Sequence, residues 1–282
     1  MRVKVRQKLT SPLILILLSL MVALPLYWAV TISFRPMADL FMRRITPSSL
    51  TTKNYDGIIY DRDWAGFQGV SFVIPLRNSL IIALGVTAIG LIISPLAAYA
   101  LAMIPIRGKE LISSYLLLAY VFPPFVLIIG LSSFIHKLGL MDTFAGVMLL
   151  HLIIVVPYCT WMLRGYFLSV PKALEEAALV DGCSRIGALL KIILPVSAPG
   201  FVTAAIFSFT LSWQEMLFAL ITIDSHSKFT LPMALLAMVL GDYIQWGKLM
   251  AGSIIAILPP SILYLLMQRY VVQGLTGGAV KG

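Results

Sequence analysis

Groups able to do acid–base chemistry are scarce in this chain, with 12 Asp and Glu and three His among 282 residues. Catalysis by proton transfer needs at least two such groups held together, so spacing decides whether any set can serve. No His-Glu-x-x-His and no Gly-x-Ser-x-Gly occurs, and His136, His151 and His226 fall in different segments. Each histidine is read as packing at an interface or along a pore rather than as a metal ligand. A phosphate-cradling Gly-x-x-x-x-Gly-Lys-Ser/Thr loop is missing too. The nearest fragments, Gly108-Lys109-Glu110 and Gly247-Lys248-Leu249, lack the hydroxyl residue and the upstream glycine. Cys159 and Cys183 have no ligand spacing and are expected to be free thiols. Two features remain. One is the polar stretch EEAALVDGCSRIGALLKIILP, Glu175 to Pro195, and the other is Glu215, within Trp213-Gln214-Glu215 in an apolar run.

The elements that must position them follow from composition. With 60% hydrophobic residues, 12% charged ones and a mean hydropathy of +0.96, this is a polytopic membrane protein. The net charge of +9 is assigned to basic residues flanking membrane spans rather than to a nucleic-acid surface. Apolar runs of about twenty residues, the length that crosses a bilayer, lie at Leu13–Ile32, Leu80–Ala102, Ser114–Phe134, Phe144–Leu163, Pro199–Ile223 and Leu249–Met267. The fold class is therefore all-α, six helical spans in one transmembrane domain over 1–282, because backbone amides in hydrocarbon must pair within their own segment. The basic N-terminal head and long first apolar run read as a retained span, not a cleaved leader. Prolines within the runs (Pro25, Pro95, Pro123, Pro124, Pro157, Pro259, Pro260) predict kinks around a cavity.

Twelve of the 21 Lys and Arg fall on the side of the N-terminus, and the other nine lie mostly in the long first loop, Phe34 to Asn78. Both termini are therefore expected in the cytoplasm. That loop is long enough for short helices but not for a core. Leu231 to Leu240 is too short to span and reads as interfacial or re-entrant.

Between the fourth and fifth spans, residues 169–195 predict a helix, a turn at Gly182 and a second helix on the cytoplasmic side. Ser169 and Pro171 suit the first start, and Glu175 and Glu176 favour its dipole. An amphipathic connector on lipid headgroups is one reading. Three acids, no bulky aromatics and the small Ala177 and Ala178 favour a protein neighbour instead. For Glu215, the only acid assigned inside a span, a gate or translocation-path contact and a helix-to-helix hydrogen bond fit equally well. Tyr120, Tyr158, Trp161 and Trp213 offer flat apolar faces, although aromatics in membrane helices more often pack or sit at interfaces.

Glu176-Ala177-Ala178, then Gly182, Ile192 and Leu194-Pro195 at fixed spacing resemble the E-A-A loop of membrane subunits of bacterial ATP-binding-cassette importers. Asn78 to Ala102 resembles that family's second span and Phe207 to Leu220 its fifth. Gln268 to Gly282 is similar to the tail of the carbohydrate-uptake branch, as in the maltose-type importers. Family members commonly have Ala at Cys183 and, in that branch, Asn at Gln214.

The resemblance implies a coupling helix docked on a cytoplasmic ATPase, with Glu175, Glu176, Ala177, Ala178, Asp181, Gly182, Ile192, Leu194 and Pro195 at or near the contact and Glu176 as anchor. It further implies a tail, Gly277, Gly278 and Lys281, against the ATPase pair, and a segment Asp224 to Pro232 reaching toward an extracytoplasmic binding protein. Tyr120, Tyr158, Trp213, Gln214 and Glu215 are candidates for the substrate path or gate. The expected partners are a second homologous membrane subunit, two ATPase subunits that bind ATP and Mg, and a solute-binding protein. The chain itself would hold no cofactor. The expected activity is alternating-access import of a carbohydrate, an oligosaccharide above all, across a bacterial or archaeal cell membrane. An ion- or proton-driven transporter would call for paired intramembrane charges or repeated half-helices, and a membrane-embedded enzyme for a catalytic constellation.

Overall fold

The computed structural model describes residues 2–40, 42, 46–60, 71–241 and 243–279, with the backbone alone for 2–11, 13 and 271–279. Every regular element among them is helical. In chain order these are α1 (Arg2–Ser33), α2 (Met37–Leu40), α3 (Lys53–Tyr60), α4 (Val73–Met103), α5 (Lys109–Val121), α6 (Pro124–Lys137), α7 (Phe144–Leu168) and α8 (Lys172–Val180). They continue with α9 (Arg185–Ala188), a π-helical turn (Leu189–Ile193), α10 (Leu194–Val196), α11 (Ala198–Gln214), α12 (Leu217–Thr222), α13 (Leu231–Leu240) and α14 (Trp246–Ala279).

Among the described residues, four segments are long and apolar enough to cross a bilayer: Ile14–Ser33, Val73–Met103, Phe144–Leu168 and Trp246–Tyr270. The other two expected spans are not straight helices. Ser114–Phe134 is divided between α5 and α6, which meet at 93°. Pro123 and Pro124 are the cause: neither has an N–H to donate, and the residue before a proline is driven out of the α region. Accordingly Phe122 and Pro123 are both extended. At 13 and 14 residues, each limb is about 20 Å long, short of a hydrocarbon core of about 30 Å. Pro199–Ile223 is likewise broken, with α11 ending at Gln214 and α12 starting at Leu217. Before it, the segment Arg185–Val196 meets α11 at 88°.

The chain divides into two compact units, 1–73 with 234–258 and 74–233 with 259–282. In the first, Asn54 of α3 donates its amide to the Ser33 and Arg35 carbonyls at 2.9 and 2.8 Å. The Ser33 carbonyl is freed where α1 stops, so α3 helps to cap its C-terminal end. Tyr55 adds a 2.8 Å hydrogen bond to the Ser33 hydroxyl, and Ile58 is fully buried. The apolar side chains of α1 from Ile14 to Tyr27 remain exposed, as expected of a surface that meets lipid or another membrane helix.

The second unit is organised on α4, α7 and α11. Ile82, Val86, Ala98 and Ala102 of α4 form one core with Val147, Val155, Cys159 and Leu163 of α7 and Ala204 of α11. In lipid no hydrophobic force drives helices together, so close approach by small residues matters more. Gly90 illustrates it: an added Cβ would lie 3.2 Å from Val155 and 3.5 Å from the Ser208 hydroxyl, one on each neighbouring helix. The core reaches beyond the spans to Val170, Leu189 and Ile193, and so seats the α8–α9 region on the ends of α4 and α7.

Candidate functional site

Residues 169–196 build a compact helix–turn–helix. Pro171 precedes α8, and Ser184 caps α9 by accepting from the Gly187 amide at 3.1 Å. Between them Gly182 takes φ +86°, and the Gly182 and Cys183 amides donate to the Leu179 and Ala178 carbonyls. A glycine in the left-handed region just past a helix end closes it without a Cβ penalty.

This geometry sorts the nine residues assigned to the contact. Glu176, Ala177, Asp181, Gly182 and Pro195 are exposed, Ile192 and Leu194 are half-buried, and Glu175 and Ala178 are buried. The exposed side also carries Val180, at 87% the most accessible large apolar side chain of the chain's described residues, together with Ile186 and Leu190. Glu175 faces the other way. Its carboxylate accepts a hydrogen bond from the phenol of Tyr99 near the end of α4, and Arg185 Nη1 lies 3.9 Å from Oε1. The tail residues Gly277 and Gly278 lie on the last helical turns of α14, and Lys281 lies outside the described residues.

Among the path candidates, Tyr120 and Tyr158 come together, ring centroids 4.6 Å apart, and Phe207 extends the cluster 5.5 Å beyond Tyr158. Trp213 does not join them. It is 5% exposed and stacked on Phe209 at 5.5 Å, so its face is already used. Gln214 is exposed.

Glu215 sits where α11 breaks. Its two carboxylate oxygens accept from the Phe218 amide at 3.1 and 3.0 Å, serving the first turn of α12, where helix amides lack partners. Oε2 also lies 3.0 Å from Nε2 of His151 on α7. That separation makes an ion pair when the ring is protonated, although Nε2 is off the axis of a directional hydrogen bond. His151 is 1% exposed and its Nδ1 is 2.8 Å from the Ser212 hydroxyl. The sequence did contain a signal for this pair. A polar ring in one apolar span and a carboxylate in another are each costly alone in hydrocarbon, which favours pairing. This geometry gives Glu215 the helix-to-helix contact and makes His151 its partner rather than simple packing.

At the opposite end of α7 from Ser169, Asp142 holds the segment before α13. It is the only described non-glycine residue with positive φ, at 53°. Its carboxylate accepts from the Asp224 and Ser225 amides, the Ser225 hydroxyl at 2.6 Å and Lys228 Nζ at 2.7 Å. Asn78 pins the same segment by donating to the Ser227 and Phe229 carbonyls at 2.9 and 3.0 Å. The Lys228 ammonium and the Ser225 donors hold the Asp142 carboxyl far below the ordinary range. A carboxyl depressed on folding contributes fully above its unfolded pKa of about 3.9 and loses that contribution progressively as pH falls from there through its lower folded value. A spin label at position 227 is therefore expected to be restrained at pH 7 and still restrained at about pH 4, where the folded carboxyl remains ionised, and released at both pH values in Asp142→Asn. An equally restrained label in that variant would show that Asn78 alone suffices.

Residues 90–277 match the family described as binding-protein-dependent transport system inner membrane component. The chain is 36% identical to the trehalose/maltose transport system permease protein of Thermococcus litoralis, covering all of both chains. It is 35% identical to the sulfoquinovosyl glycerol permease of Agrobacterium fabrum over 92% of this chain and 88% of that one. With the trehalose permease of Mycobacterium tuberculosis it shares 34% identity over 92% of each. Among solved structures, a bacterial ABC transporter involved in import of the acidic polysaccharide alginate matches with a TM-score of 0.77 at 20% identity, over 93% of this chain and 95% of that one, which establishes the fold. The chain is thus a multi-pass membrane permease of the binding-protein-dependent transport system inner membrane component family.

Proposed function

We propose that this chain is one of two membrane subunits of an ATP-driven, binding-protein-dependent carbohydrate importer, with a di- or oligosaccharide as cargo. A second, homologous subunit completes the path, and two ATPase subunits bind ATP and Mg beneath the α8–α9 turn. A solute-binding protein delivers cargo at the Asp142 end, and both termini face the cytoplasm. The reading is carried by the end-to-end likeness to the trehalose/maltose permease.

In this arrangement the exposed face of Glu176, Ala177, Val180 and Gly182 is a coupling helix. A carboxylate at the rim can take a charge-assisted hydrogen bond, and the small residues admit a close neighbour. Val180 and Ile186 supply apolar surface of the kind that meets protein rather than water. Tyr120, Tyr158 and Phe207 form the stacking face offered to sugar along the path. Gly277, Gly278 and Lys281 form the tail that lies against the ATPase pair.

The test is reconstitution with the ATPase, second membrane subunit and secreted binding protein encoded beside this chain. Trehalose or maltose uptake into proteoliposomes is expected to need both ATP and the binding protein. Uptake by the purified chain alone, driven by an ion gradient, would overturn the reading.

A further inference from the structure

The adjacent acids of α8 point in opposite directions. Glu176 is exposed, whereas the Glu175 side chain is 7% exposed and held from two sides. Tyr99, itself buried, donates its phenol proton to Oε1 from a position 76 residues earlier in the chain. Arg185, across the Gly182 turn on α9, brings its guanidinium to 3.9 Å from the same oxygen. One carboxylate therefore joins α4, α8 and α9. A hydrogen bond to an ionised acceptor is about twice as strong as a neutral one, and a low-dielectric setting strengthens it further.

Where this contact meets α4 matters mechanically. Tyr99 lies four residues beyond Pro95, which sits inside the helix and cannot donate to the Leu91 carbonyl. A helix bends most readily where its hydrogen-bond ladder is interrupted. A force applied at Tyr99 acts on the segment past that interruption, and the same segment, through Ala98, Ala102 and Met103, shares a core with Val170, Leu189 and Ile193. The other end of the lever is also built to flex. The π-helical turn Leu189–Ile193 precedes the 88° bend into α11, and such turns mark hinges in otherwise regular helices.

We infer that Glu175 is a transmission residue, not a docking one: it conveys displacement of the α8–α9 turn to the end of α4 through Tyr99. The inference rests on the proposal that this turn meets an ATPase, and it divides the two acids by task. Glu176 faces the partner, and Glu175 couples the turn to the bundle.

The test uses the complete complex in proteoliposomes and reads three quantities: ATPase retained on purification, basal ATP hydrolysis, and substrate taken up per ATP. Tyr99→Phe keeps the ring and loses only the hydroxyl. It is expected to retain the ATPase and basal hydrolysis while uptake per ATP falls about tenfold, the scale of one hydrogen bond to a charged group. Glu175→Gln keeps both shape and an accepting oxygen and should preserve at least about half of the coupling, whereas Glu175→Leu should lose about tenfold. The Tyr99→Phe/Glu175→Leu double variant should be no worse than Glu175→Leu alone.

Unchanged uptake per ATP in Tyr99→Phe overturns the inference, as does loss of the ATPase from that variant, which would make the contact part of docking. Equal behaviour of Glu175→Gln and Glu175→Leu overturns it as well, and this comparison still decides should Tyr99→Phe fold poorly. Failure of the underlying docking proposal looks different: Glu176→Ala and Gly182→Asp would both leave the ATPase bound and coupled.

Discussion

Gly182→Asp is expected to leave the subunit in the membrane at normal levels while lowering uptake by about a hundredfold or more, the scale set by forcing an unpaired charge into a protein interface. Within this chain the substitution meets no obstruction, since no atom lies within 4 Å of an added Cβ. The φ of +86° penalises an L-residue by about 1 kcal/mol, and Asp tolerates that region better than most. A small cost to the subunit and a large cost to transport can be reconciled only if another molecule occupies the space beside Gly182. The measurement is ATP hydrolysis stimulated by loaded binding protein in purified complexes. Normal stimulation in Gly182→Asp would remove the case for docking at this turn. Gly182→Ala, which carries the φ strain without the charge, separates the two effects and should lose far less.

His151→Leu is expected to destabilise the subunit by about 2 kcal/mol, the scale for leaving buried polar groups without their partner. The carboxylate of Glu215 would keep the Phe218 amide but lose the ring that faces it from α7. The cost arises from leaving the Glu215 carboxylate and the Ser212 hydroxyl without the ring rather than from lost packing, because Leu fills a comparable volume. Changing both residues, His151→Leu with Glu215→Gln, removes the charge as well and should recover much of the loss. Thermal or denaturant melts of the detergent-solubilised subunit provide the measurement. A double-mutant cycle with coupling below about 0.5 kcal/mol would mean that the pair contributes nothing to stability.

How far the sequence could be read differs from element to element. The α8–α9 turn was legible because its determinants are local: Pro171 ahead of the first helix, an acid-rich first turn and Gly182 at the helix end act within a few residues. Four of the six expected spans were legible for the same reason, since about twenty apolar residues are a property of one segment. The E-A-A spacing likewise pointed to the family that the comparisons establish. The right-angle break at Pro123 was visible as two adjacent prolines, yet two outcomes were open to them. Pro95, Pro157 and the Pro259-Pro260 pair remain inside continuous helices, and only packing decides whether a helix kinks or turns a corner.

The site residues divide in the same way. Periodicity alone could not tell Glu175 from Glu176, two neighbouring acids with similar claims on a partner. Their opposite directions depend on where α4 delivers Tyr99, a matter of helix packing between residues 76 positions apart. His151 and Glu215 were each visible as a polar residue in an apolar span, but their meeting required the crossing of α7 and α11. Asp142 had no signal beyond being an acid in a turn, and its grip on Asp224, Ser225 and Lys228 spans more than eighty residues. What this chain's sequence determined by itself was the class of molecule, its apolar segments and the local shape of the α8–α9 turn, because hydrophobicity, capping and backbone freedom act over short range. Tertiary structure alone decided which polar groups pair, since in a medium without water each must find its partner on whichever helix the packing brings alongside.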